Sequence, residues 1–127
     1  MPAGARGGIS PLGIPATIAA FEQGRPWLRE ALILLERRRD LVVTAVNSLG
    51  HGPLMTSPDA TYLGWLDLRR FGLERPDVHL RDEAGIATVA GPDHGAAGAG
   101  HVRVNFATPD AQLTDFLSRL ERVLKTV

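Results

Sequence analysis

The residue types best able to do chemistry lie in one run, residues 91–107, GPDHGAAGAGHVRVNFA. A glycine-rich loop leads there into a strand pattern. His101, Arg103 and Asn105 alternate with Val102, Val104 and Phe106, so the two sets point to opposite faces. A guanidinium in mid-strand is solvated, paired with an internal carboxylate, or reserved for an anionic ligand; most arginines take one of the first two roles. Gly95, Gly98 and Gly100 have the spacing GxxGxG and run into a strand. A dinucleotide loop needs GxGxxG and a helix N-terminus to hold the pyrophosphate, so a turn or a close backbone approach is the better reading. His51, His79, His94 and His101 fall in no HxH or HExxH spacing, and no metal site is expected. Asp93 and His94 are adjacent in a loop, which does not make them face each other. No serine sits in a nucleophile elbow and no P-loop is present. Cysteine is absent, which removes thiol nucleophiles, disulfides and cysteine metal sites. No residue is assigned as catalytic.

These residues need elements to position them. Pro15 to Gln23 reads as a short helix stopped by Gly24, and Pro26 suits the first turn of a second. Leu28, Leu32, Leu35, Val42, Val46 and Leu49 recur mostly at three- and four-residue spacing up to Gly50. That helix would run roughly 35 Å. Its charged run Glu36 to Asp40 reads as a solvated face, with a basic docking patch as the sharper alternative. A possible short strand lies between Gly50 and Asp59. Thr61 to Leu68 reads as a strand, with Tyr62 and Trp65 expected in the core or an interface. Pro76 to Ala84 reads as a helix closed by Gly85, Ile86 to Ala90 as a strand, and 101–106 as the next. Thr108 is placed as N-cap and Pro109 as the first helical residue of a last helix striped by Leu113, Phe116, Leu117, Leu120 and Leu124. The order implies a two-layer α/β sandwich.

Composition narrows the function classes. The chain has 127 residues, enough for one domain with its own core. Fourteen basic residues balance fourteen acidic ones, for a net charge of zero. That argues against nucleic acid or an anionic membrane as partner. No apolar stretch approaches the ~20 residues of a membrane span, and the N-terminus lacks the apolar core of a secretory signal. The expectation is a soluble, cytoplasmic protein. Its only lysine is Lys125, read as a cation near a helix C-terminus.

Three segments together, SPLGIPATIAAFEQGRPWL (10–28), TYLGWLDLR (61–69) and the 91–107 run, resemble one family. It is the C-terminal part of class I/II aminotransferase-like enzymes that use pyridoxal phosphate, in the branch of cystathionine β-lyases, or carbon–sulfur lyases. The resemblance implies the small C-terminal domain of a fold-type I enzyme over residues 25–127. Residues 1–24 would be a remnant of the large-domain side with an entry helix. It also implies that Arg103 binds the substrate α-carboxylate. His94 and His101 stand where the family usually has an aromatic residue. The cofactor's lysine anchor, its ring-nitrogen partner and its phosphate cup belong to the large domain and match nothing here. Met1 would then correspond to an internal position of a full-length relative. The expected partners are a large-domain polypeptide that binds pyridoxal phosphate, or further copies of this chain, with an amino acid as substrate of the intact enzyme. The alternative is a non-catalytic assembly module or a truncated gene product without activity of its own.

Overall fold

The computed structural model of the protein describes residues 10–50 and 52–127. The expectations for residues 1–9 and for His51 lie outside the described residues. Two compact units divide between Leu34 and Leu35. The first holds α1 (Gly13–Gln23) and the start of α2 (Arg25–Asn47). Helix α1 begins two residues ahead of Pro15 and ends at Gly24, as its apolar pattern and stop residue lead one to expect. Gly24 has an ordinary φ of −77°. A side chain is excluded there for a different reason: a Cβ would lie 2.4 Å from the Ala20 carbonyl oxygen. No residue of α1 is buried. Leu12, Phe21, Trp27 and Ile33 are all well exposed.

In the second unit, one sheet face is covered by helices. Strands β1 (Leu63–Asp67), β2 (Val89–Ala90) and β3 (His101–Asn105) form an antiparallel sheet in the order β1-β3-β2. Leu66, Val102 and Val104 point from it into a core shared with Val42 and Val46 of α2. Leu80 of α3 (Pro76–Ala84) and Leu113, Leu120 and Leu124 of α4 (Asp110–Leu124) complete that cluster. This is the expected two-layer α/β sandwich. Alternation along β3 decides the layering, because every second side chain must leave water.

Several local expectations change. Strand β1 starts at Leu63 because Thr61 has φ 71°, a left-handed conformation that a strand residue cannot hold. No strand forms over the described residues 52–59. Only Val89–Ala90 of the expected Ile86–Ala90 strand pairs with β3. The Ile86 N–H instead closes α3, donating to the Leu80 carbonyl at 3.0 Å behind left-handed Gly85. Pro109, not Thr108, caps α4; the Thr108 hydroxyl donates to Gln112 Oε1 at 2.6 Å. The charged run on α2 is not merely solvated. Arg37 and Arg38 both hold Asp110 at 2.8 Å, and the Arg38 side chain is only 15% exposed. This fork ties α2 to the first turn of α4, where a carboxylate also suits the helix dipole.

Candidate functional site

The face of the sheet opposite the core carries the polar residues. Register pairs Trp65 and Val89 with Arg103, Asp67 with His101, and Leu63 with Asn105, so all seven share that face. Arg103 sits in the central strand, half-buried. Among the described residues it has no ion pair and no side-chain hydrogen bond, so of its three possible roles the internal pair drops out. It lines an open cleft of about 300 Å³ with Leu63, Thr88, Val89 and Asn105, and no acidic side chain borders that cleft. A half-buried guanidinium framed by apolar walls favours an anion more strongly than a solvated one does.

Beside Arg103 lies an aromatic cluster. Trp65 and Tyr62 are 39% and 47% exposed, so of the two places expected for them, core or interface, only the core drops out. Trp65 stacks on His101 (centroids 5.6 Å apart, 22° between planes) and meets His94 edge-on at 5.6 Å. The two histidines thus take up aromatic contacts. His101 is the buried one, 9% exposed. Its Nδ1 lies 2.9 Å from the Ala99 carbonyl oxygen, and its Nε2 lies 3.7 Å from Asp67 Oδ1. Asp93 and His94 share a 3-10 turn, but His94 is engaged with Trp65. Among the described residues no three histidine, aspartate or glutamate side chains gather as a metal site.

Asp67 anchors this end of the face. Its carboxylate takes Arg69 Nε at 2.9 Å, Arg69 Nη2 at 2.6 Å and the Arg69 backbone N–H at 3.0 Å. These hydrogen bonds hold its pKa down to about 2, against the opposing effect of burial; the charge of His101 adds to the lowering. The glycine loop is built for close approach. Residues Gly91–His94 and Ala96–Gly98 are 3-10 turns folded onto one another. A Cβ on Gly98 would lie 2.0 Å from the Gly91 carbonyl oxygen, and one on Gly91 would lie 2.0 Å from that of Gly98. Gly100 then turns with φ 73°, and its carbonyl accepts the Leu68 N–H at 2.9 Å. The loop therefore sets where β3 begins.

Sequence reading missed two features of this face. The Asp67–Arg69 clasp is visible as a D-x-R spacing, but such a spacing does not fix a pair. The Asn105 amide is pinned by the Ala107 backbone N–H, which donates to its Oδ1. Lys125 ion-pairs with Glu121 one turn earlier on α4, away from this face in sequence and role. No helix among the described residues is long and apolar enough to cross a membrane.

No family model matches the chain. It is similar to a protein of Mycobacterium leprae named as a cystathionine beta-lyase, 38% identical over 131 residues, covering 92% of this chain and 33% of that protein. Cystathionine beta-lyase PatB of Bacillus subtilis is 29% identical over 120 residues, covering 93% of this chain and 31% of the other. Among solved structures, the PLP-bound C-S lyase from Staphylococcus hominis superposes with a TM-score of 0.83 at 26% identity, covering 91% of this chain and 31% of that one. The chain thus spans about a third of the length of the relatives it matches.

Proposed function

Because this chain is a C-terminal part of the family of cystathionine beta-lyases and pyridoxal-phosphate aminotransferases, we propose that it holds the α-carboxylate of an amino acid on Arg103 and serves a cofactor bound by the family's large domain, which lies outside these residues. The observation that carries this reading is the guanidinium itself: half-buried in the central strand, facing a cleft with no acidic side chain. A carboxylate docked there would accept two parallel N–H bonds from the planar fork. Two bonds fix the ligand's rotation as well as its place, and so decide which bond of the amino acid is presented for reaction.

Pyridoxal phosphate is the family's cofactor, but the residues of this chain do not fit it alone. The only lysine pairs with Glu121. On this reading the chain is not catalytic by itself. The exposed apolar side chains of Leu12, Phe21, Trp27 and Ile33 support residues 10–24 and the start of α2 as the side that packs on the large domain.

The test is a titration of the isotope-labelled chain with sodium acetate, against sodium chloride at equal ionic strength. The expected result is saturable movement of the Val102 to Val104 amide signals. Losing one partner of such a charge pair costs ~2–5 kcal/mol, so Arg103→Ala should lose at least thirtyfold in affinity, with an unchanged thermal midpoint. Arg103→Lys should fall between. Equal affinity in Arg103→Ala would remove the carboxylate role, and unfolding of that variant would make the arginine structural.

A further inference from the structure

We infer that Asn105 is a second carboxylate-binding residue, its side-chain Nδ2 donating to the anion that Arg103 holds; this rests on the reading of Arg103 above. The two residues stand two apart on β3 and share its outer face, which separates their Cα atoms by about 6.6 Å at ~3.3 Å per residue. Both line the same cleft. The orientation of the Asn105 amide follows from its neighbour. Asn105 Oδ1 accepts the Ala107 backbone N–H at 2.8 Å, and the flipped amide would set N–H against N–H. The acceptor end is therefore occupied, and the two hydrogens on Nδ2 have no protein partner among the described residues.

This makes the polar lining of the cleft one-sided. Arg103 offers only donors, and Asn105, its Oδ1 turned to the Ala107 N–H, presents its two Nδ2 hydrogens. The remaining polar side chain is Thr88, whose buried Oγ1 has no partner and can turn to either role. Leu63, Ala87, Val89 and Val104 complete the lining. A ligand that satisfies this set must be rich in acceptors and carry negative charge. A carboxylate has about four lone-pair sites on its two oxygens, and the guanidinium fork uses two of them. Asn105 Nδ2 supplies a third bond, to the oxygen nearer the end of the strand. A site with three donors on one carboxylate rejects an amide at the same position, since its NH2 group would face a donor and leave it unpaired.

The experiment follows the Arg103 Nε–H and Asn105 Nδ2–H signals of the full labelled chain during the acetate titration, with chloride as control and acetamide as the uncharged analogue. In the wild type both signals should move with the same midpoint, and acetamide should move neither. Asn105→Ser keeps an oxygen for the Ala107 N–H and removes the amide donors; its acetate affinity should fall about tenfold, the loss of one hydrogen bond to a charged group. Asn105→Asp also keeps that oxygen but places a second anion beside Arg103, and should abolish saturable binding with the thermal midpoint within a few degrees of wild type. If Arg103 responds, Asn105 does not, and Asn105→Ser binds as wild type does, the inference fails while the role of Arg103 stands. If neither signal responds to acetate, both fail together.

Discussion

Replacing Asp67 by asparagine isolates the clasp that fixes the end of β1 beside the glycine loop. The side chain keeps its shape and an oxygen for the Arg69 N–H. It loses its charge, and it turns an NH2 group toward the Arg69 guanidinium. The folded carboxyl has its pKa lowered from 3.8 to about 2. At ~1.36 kcal/mol per tenfold change in proton affinity, this corresponds to at most about 2 kcal/mol. The Arg69 side chain is 65% exposed, so solvent screening reduces that figure to about 1 kcal/mol. The sign is set by the direction of the lowering. The stabilisation is fully present above the unfolded value of 3.8 and disappears as pH falls through that value toward 2. Urea unfolding at pH 7 should therefore show Asp67→Asn less stable by about 1 kcal/mol, with an unchanged urea dependence. The gap should close between pH 4 and pH 2, and shrink in high salt. A gap of the same size at pH 2 and pH 7 would refute the electrostatic argument and leave packing as the cause. No gap at pH 7 would show that the clasp contributes nothing.

Two further outcomes test other parts of the structure. Gly98→Ala should cost about 3 kcal/mol or more, because its Cβ meets the Gly91 carbonyl backbone and not a movable side chain; loss of dispersed β3 amide signals would accompany it, and a wild-type midpoint would disprove the interlock. Mixing the chain with stoichiometric pyridoxal phosphate and borohydride should leave Lys125 unlabelled by mass spectrometry, since its ammonium is held by Glu121 on an exposed helix face; stoichiometric labelling would give the chain a cofactor anchor of its own.

The alternation of 101–106 determined by itself which side chains of β3 enter the core and which face out, because strand geometry allows only two directions. The stripe of α4 and the stop at Gly85 were equally legible, being set by helical period and by a left-handed cap. The three segments carried the family, since their order and spacing are properties of the chain. What surrounds Arg103 was not legible. Whether a carboxylate pairs with it depends on which strands flank β3, and Trp65 and Val89 come from 38 and 14 residues away. The same holds for Arg37 and Arg38, read as a solvated run until α4 brought Asp110 to them. For Trp65 hydrophobicity left core and interface open, because it is local information, whereas the face it occupies follows from register with β3. The interlock of Gly91 and Gly98, and the turn that pins the Asn105 amide to the Ala107 N–H, are contacts of a few ångströms. Composition and period carry no record of them, so only the folded chain decides them.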